Sequence, residues 1–174
     1  LAIQVFRRID DGVPLMQQLQ LLLTVSGRPR EVTLGLEIGP DFVPLQLQSP
    51  LPVRLDNSNR LQFQVRPGQW QIQLTLRNTA FLSPKKLSTG TIEGPWPEEE
   101  VWVFAADPKL RQVEIGGIPP VDPSRTSLPQ EWKNLPAYLI NQGDQMLLTE
   151  KNRGNPNPVL SLIHISEPTR LRRI

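Results

Sequence analysis

The 174-residue chain contains no cysteine and one histidine, His164. The lack of cysteine excludes disulfide bonds, thiolate metal ligands and a cysteine nucleophile. It does not identify a redox compartment, because cysteine-free chains occur in both reducing and oxidising environments. Apart from His164, the chain has no histidine, which excludes Ser-His-Asp catalysis and the commonest zinc sites. Catalysis by lysine or carboxylate side chains is left open by this composition. We expect a protein that is not an enzyme and that carries no metal and no cofactor.

Long apolar runs are also missing. No segment approaches the roughly 18 consecutive apolar residues of a membrane-spanning helix, so we expect no membrane span within the chain. Proline is abundant, with 19 residues, or about twice the average usage of roughly 5%. Because proline is poorly tolerated in helix interiors, this composition argues against an all-α fold.

Apolar and polar residues alternate with a period of two through most of the first eighty residues. In one segment, Leu61, Phe63 and Val65 alternate with Gln62 and Gln64. This period places one face on a core and the other in water, as in antiparallel sheets. Many of the outward positions are glutamine, so the exposed faces are predicted to be polar but weakly charged.

Turn sequences separate the alternating segments. Residues 56–59, with the sequence Asp-Asn-Ser-Asn, are typical of a hairpin loop, and Pro67-Gly68 is typical of a turn. We predict a mainly β fold, with an antiparallel β-sandwich over residues 1–80 and a smaller β-rich segment over residues 100–158. A Pro/Gly-rich connector over residues 81–99 is expected between them. The smaller segment is predicted to include a helical turn near residues 127–130 and a hairpin over residues 137–150.

Four tryptophans are the main candidates for ligand contact. Trp70 shares its register with apolar residues and is predicted to be core, whereas Trp102 lies on a strand that is either buried on both faces or meets a partner. Trp96 and Trp132 lie in proline-rich loops, where a rigid aromatic ring can pack structurally or contact a ligand. With Tyr138, they are the candidate ligand-binding residues.

Two acidic clusters are predicted to be structural. Glu98-Glu99-Glu100 precedes a strand, and successive strand residues point to opposite faces, so the three carboxylates do not converge on one ligand. We interpret them as a solvated charged run. Asp10-Asp11-Gly12 lacks the further acidic residues of a calcium loop and is interpreted as a turn.

Seven short stretches of the sequence carry a resemblance to known proteins: residues 25–28, 30–32, 65–70, 101–104, 121–123, 128–133 and 135–138. Together they resemble an internal stretch of large uncharacterised proteins of Gram-negative bacteria, and the resemblance spans most of residues 6–158. It implies a longer parent chain in the cell envelope or periplasm, with other domains of that chain or envelope proteins as partners.

The last segment, residues 159–174, is expected to be an artefactual tail. Residues 160–170 resemble the translation of a transposase-type sequencing adapter read through in frame. The segment contains His164 and three of the arginines, and without it 16 basic and 16 acidic residues remain. A neutral body with scattered arginines does not favour nucleic acid as a partner.

Together these observations favour a non-catalytic structural or interaction segment of a larger bacterial cell-envelope protein. One alternative is a carbohydrate- or peptide-binding β-sandwich module that uses the loop tryptophans. Another is an accessory domain of an enzyme whose catalytic part lies outside this sequence.

Overall fold

A computed structural model describes residues 1–80 and 85–153. These residues form thirteen strands and two single-turn 3₁₀ helices, Pro123–Arg125 and Gln130–Trp132. The predicted tail, residues 159–174, lies outside the described residues. The strands are β1 (Ala2–Asp10), β2 (Met16–Val25), β3 (Arg30–Glu37), β4 (Phe42–Gln48), β5 (Val53–Leu55), β6 (Arg60–Val65), β7 (Gly68–Asn78), β8 (Lys85–Ser88), β9 (Glu99–Ala105), β10 (Arg111–Gly116), β11 (Pro120–Val121), β12 (Ala137–Asn141) and β13 (Gln145–Arg153).

A seven-stranded sheet with the order β11-β12-β9-β1-β2-β7-β4 is the largest element. Its central pair, β1 and β9, is parallel, with Phe6 opposite Val101, whereas the other neighbouring strands are antiparallel. The mainly β prediction is confirmed, but the sheet is mixed rather than purely antiparallel. The sequence pattern did not reveal this because alternation marks a strand without naming its partner.

The large sheet combines strands from both of the segments that the sequence predicts as separate. It takes β1, β2, β4 and β7 from residues 1–80 and β9, β11 and β12 from residues 100–158. The region predicted as a connector contains β8, and its residues 91–95 bond to β3 through the amides of Gly35 and Glu37. These bonds continue the second layer of the fold.

Two three-stranded antiparallel sheets, β3-β6-β5 and β10-β13-β8, cover one face of the large sheet. Val5 on β1 packs in a core with Leu34 and Phe63 of the first small sheet. Ile9, four residues further along β1 and on the same face, packs in a second core with Met146 of the other small sheet. Each fully buried side chain of this size stabilises the fold by about 1.5–3 kcal/mol relative to exposure.

Among residues 1–80 and 85–153, the segment that covers the opposite face of the large sheet lies at one end of it. Phe6 and Val103 point to this face and pack against Leu128 and Trp132 from the segment that carries the two 3₁₀ helices. The strand β9 is therefore buried on both faces, which was one of the two arrangements expected for Trp102. The second 3₁₀ helix lies where a helical turn was predicted.

One predicted hairpin is wrong. The residues between β12 and β13 do form a turn, in which the amide of Asp144 donates to the carbonyl of Asn141 at 3.1 Å. However, β12 pairs with β9 in the large sheet, whereas β13 pairs with β8 and β10 in a small sheet. The turn therefore connects two layers of the fold. The residue types of a turn do not show whether the strands on either side of it pair with each other.

Candidate functional site

Trp96, the first candidate ligand-binding residue, is half-buried. It packs against the first core, and its indole Nε1 donates to Oε1 of Glu100 at 2.8 Å. The polar atom of the ring is therefore used inside the protein, which favours a structural role for this side chain.

Trp132 is 5% exposed and packs with Phe6 and Val103 in the third core. Tyr138 is half-buried against the second core, and burial raises the pKa of its hydroxyl above the ordinary value of 10.0. The three candidates therefore contact three different cores, and the structure does not bring them to one site. Burial of both loop tryptophans would argue against a binding role for the pair, but only Trp132 is fully buried.

Glu100 corrects the interpretation of the acidic run. Glu98 and Glu99 are exposed as predicted, but Glu100 is 1% exposed and forms an ion pair with Arg7. Its carboxylate also accepts hydrogen bonds from the indoles of Trp96 and Trp102, at 2.8 and 2.7 Å. Four N–H groups therefore donate to this one buried carboxylate: two from Arg7 and one from each indole. The carboxylate of Glu100 thus has a structural role.

The turn predicted at Asp10-Asp11-Gly12 is present, and it also anchors a second buried ion pair. The amide of Gly12 donates to the carbonyl of Asp10 at 3.0 Å, whereas Asp11 is 3% exposed. The Asp11 carboxylate accepts from Nε of Arg111 on β10, at 2.9 Å to Oδ1 and 3.2 Å to Oδ2. The pair fixes the turn between β1 and β2 against a small sheet.

A cleft of about 150 Å³ opens between β3 and β8 and is lined by the buried side chains of Arg7, Gln17 and Lys85. Its two buried charged groups have partners within the protein. Arg7 pairs with Glu100, and Nζ of Lys85 donates to the carbonyl of Ala80 at 2.9 Å and lies 3.7 Å from Oδ2 of Asp41. Because these two buried charges are already compensated, the cleft is a weaker candidate than the surface on the other side of the large sheet.

That surface is a set of uncharged side chains on β2, β7 and β4, here called the glutamine face. Gln48, Gln73 and Gln20 lie directly opposite one another on the three strands, and Gln46, Thr75 and Gln18 form the adjacent row. Directly opposite residues in a sheet share a face. Among the described residues, no protein group hydrogen-bonds to the carboxamides of Gln20, Gln48 and Gln73, and none of their polar atoms is buried without a partner.

An open groove of about 310 Å³ borders the glutamine face. Trp132 and Glu131 line one side of it, and Arg8 lines it from β1. Gln20 also lines the groove and is only 8% exposed. Trp132 is thus the one sequence candidate that meets this surface, and the glutamines were noted from the sequence only as polar outward positions. Their repeated use at alternating positions was the signal that pointed to this face.

Two classes of site are not found in residues 1–80 and 85–153. These residues contain no group of three or more His, Cys, Asp or Glu side chains placed to hold a metal ion. Across the same ranges, no helix has the length and apolar character needed to cross a membrane.

No protein-family model matches the chain, and no curated protein matches it in sequence. Among solved structures, it is similar to an aminopeptidase N family protein from Idiomarina loihiensis, with 16% sequence identity and a TM-score of 0.48. The match covers 84% of this chain and 29% of that protein, so the chain spans less than a third of that protein's length. A likeness of this degree supports no conclusion about family or activity.

Proposed function

We propose that the chain is a non-catalytic structural and interaction segment of a larger bacterial cell-envelope protein. Its contact surface is the glutamine face together with the adjoining groove. The main support for this proposal is a contrast between the buried charged side chains and the glutamines of this face in the hydrogen bonds that they make. The most buried charged side chains bind one another, whereas several carboxamides of the glutamine face have no partner within the described residues.

The buried ion pairs support the scaffold part of this proposal. Arg7–Glu100 joins β1 to β9, and Asp11–Arg111 joins the turn after β1 to β10. Removing one partner of such a pair leaves an uncompensated charge in a poorly solvated site and is strongly destabilising. The two pairs therefore link β1 and the turn after it to two distant strands of the scaffold.

The envelope location rests on the resemblance of residues 6–158 to large Gram-negative proteins. The test uses the intact parent protein in the bacterium that encodes it. Cell fractionation and protease accessibility should place the parent in the envelope, and a Gln48→Glu/Gln73→Glu double variant, at two exposed positions, should weaken its function there. A matched Gln112→Glu/Gln145→Glu variant changes two exposed strand glutamines of a small sheet and should have no effect.

Two results would contradict the proposal. A parent protein found in the cytosol would remove the envelope role. Catalysis would be favoured instead by a combination of two results. The double variant on the glutamine face would leave the envelope function of the parent unchanged, and substitution of a carboxylate that is dispensable for folding would abolish it.

A further inference from the structure

We propose that the chain forms a symmetric dimer in which β4 pairs antiparallel with β4 of a second copy. The dimer goes beyond the proposed function and does not depend on it, because it uses the outer backbone edge of β4, whatever partner the glutamine face has. In this dimer the two large sheets join into one continuous sheet, with the two copies of β4 at its centre.

Exposed apolar side chains are concentrated on β4 and β5. Each of these strands lies at the end of its sheet, and only residues 49–52 connect them, so the two edges lie close together. Of the five large apolar side chains that are exposed among the described residues, Val43, Leu45 and Leu55 lie on these two strands, with 37%, 52% and 37% exposure. A cluster of exposed apolar side chains is typical of a surface that another chain covers.

The backbone groups of Leu47 face the outer edge of the large sheet. The amide of Thr79, just after β7, donates to the carbonyl of Asp41, just before β4, at 2.8 Å, so the odd-numbered residues of β7 bond to β4. Two of those residues lie directly opposite Gln46 and Gln48. Leu47 lies between these two glutamines, so its N–H and C=O point away from β7, and no described residue bonds to them.

A two-fold axis at Leu47 gives a self-complementary pairing. Two antiparallel copies of β4 that meet there exchange both backbone hydrogen bonds between Leu47 and its counterpart. The side chain of Leu47 packs against the first core, so the same contact extends the apolar interior from one copy to the other. On either side of the axis, Gln46 of one copy lies opposite Gln48 of the other, and each carboxamide can both donate and accept.

The lack of charge on β4 suits it to pairing with its own copy. The strand has seven residues, and none of them is charged. In a symmetric pair a charged residue near the axis lies close to its own counterpart, and like charges across two strands are destabilising. The other edge strands that the structure describes are less suited. β5, β8 and β10 carry charged residues, β11 is two residues long, and β3 is already bonded to residues 91–95.

Pro44 and the bulge beside it limit how far the pairing extends. Proline has no N–H to donate, and the register of β4 against β7 shifts between Pro44 and Gln46. Regular pairing is therefore confined to the residues around Leu47. Because a two-fold pair uses the same edge of both copies, association through β4 stops at the dimer.

The first experiment measures the mass of the full 174-residue chain by sedimentation equilibrium. Protein concentrations extend to about 1 mM, where even a weak dimer is populated. We expect a reversible dimer with a dissociation constant above about 1 µM, because short edge pairing buries less than the roughly 1,600 Å² of a standard interface. Hydrogen exchange of the Leu47 amide, followed by NMR, should be slow where the dimer forms and fast where the monomer dominates.

Charge variants at the edge test the pairing directly. Gln46→Lys/Gln48→Lys places lysine opposite lysine on both sides of the axis and should weaken self-association about five- to tenfold. Gln46→Glu/Gln48→Glu should do the same, whereas an equimolar mixture of the two variants should form a heterodimer, because each lysine then meets a glutamate. The matched control, Gln112→Lys/Gln145→Lys, adds the same charge at two exposed strand glutamines of a small sheet and should dimerise like the unaltered chain. Amide spectra establish that all of the variants are folded.

A chain that stays monomeric at the highest concentration overturns the inference. It does so even if an added protein protects the Leu47 amide, because the partner of the edge is then not a second copy. A dimer in which this amide still exchanges rapidly also overturns it, as does a dimer that the control variant weakens as much as the edge variants do.

Discussion

Arg7 and Glu100 form a two-pronged ion pair across 93 residues of sequence, with 2.6 Å between Nε and Oε2 and 3.0 Å between Nη2 and Oε1. The guanidinium also lies over the ring of Trp102, 4.9 Å from its centroid. Because Arg7 is on β1 and Glu100 is on β9, the pair reinforces the register of the parallel strands at the centre of the large sheet.

Replacing Glu100 with glutamine should therefore destabilise the fold. The substitution leaves the guanidinium of Arg7 buried without a counter-charge, and we expect a loss of about 3 kcal/mol in the free energy of unfolding. Glu99→Gln, at the exposed neighbouring position, should change it by less than about 0.5 kcal/mol. Urea denaturation of the full chain measures both, and equal effects at the two positions would show that the ion pair contributes little.

Glycine is required at Gly117 by its backbone angle and by lack of space. Its φ is +83°, and a Cβ there would lie 2.6 Å from the carbonyl oxygen of Gln145. Gly143 has a similar φ of +91° but open space around it. Gly143→Ala should cost about 1–2 kcal/mol from the left-handed conformation alone.

Gly117→Ala should cost at least about 1 kcal/mol more than that, because a backbone carbonyl must move as well. Thermal unfolding of the two variants, side by side, gives the difference. A smaller loss of stability for Gly117→Ala than for Gly143→Ala would mean that the backbone at Gln145 moves easily to make room for the new Cβ.

The loop between β5 and β6 should respond to acid. The backbone amide of Arg60 holds the pKa of Asp56 below its ordinary value of 3.8, with help from the amide of Ser58 and the charge of Arg60. Because the folded-state pKa is lowered, the stabilisation is present above pH 3.8 and is lost as the pH falls through the folded-state pKa.

Carboxyl-carbon NMR of the full chain should therefore give Asp56 a titration midpoint below 3.8. Asp56→Asn should remove this titration and weaken the loop at neutral pH. A midpoint at or above 3.8 would indicate that the hydrogen bonds to the loop amides do not persist in solution.

Tyr138 is the single tyrosine of the chain, so its ionisation can be followed by ultraviolet absorbance without ambiguity. Burial raises the pKa of its hydroxyl, and the tyrosinate signal should appear above pH 10.0 in the folded protein. Because folding favours the neutral phenol, any contribution to stability is present below the unfolded pKa and diminishes as the solution becomes more alkaline.

Tyr138→Phe should abolish the absorbance transition, and unfolding in urea should return the midpoint to that of a free tyrosine. A folded-state midpoint at or below 10.0 would show that the hydroxyl is well solvated.

The local parts of the fold were predictable from the sequence. The alternation of apolar and polar residues identified β6 and β7. In β6, for example, Leu61 and Phe63 are two residues apart because both point to the buried face. The pairing of β1 with β9 was not predictable, because parallel partners 95 residues apart, such as Phe6 and Val101, share no local turn signal. The same limit applies to β12 and β13, because the tight turn between them is typical of a hairpin but connects two layers.

The candidate site was only partly predictable for a related reason. Proline-rich surroundings identified Trp132 as a loop residue, but they do not show whether the loop folds back on a sheet. Glu100 looked like its two acidic neighbours, and only the tertiary position of Arg7 distinguishes it. The glutamine face needed the register of three strands before its residues formed one surface.

The parallel pair at the centre of the large sheet also has a consequence during synthesis. As β1 leaves the ribosome, its partner β9 is about 90 residues behind, and at 5–20 residues per second it follows only after about 5–20 s. Throughout that interval one edge of β1 is open to pairing with any other extended chain nearby. A nascent-chain holdase, or slow export in an extended state, would protect the protein during the part of its life when its central strand has no neighbour on one side.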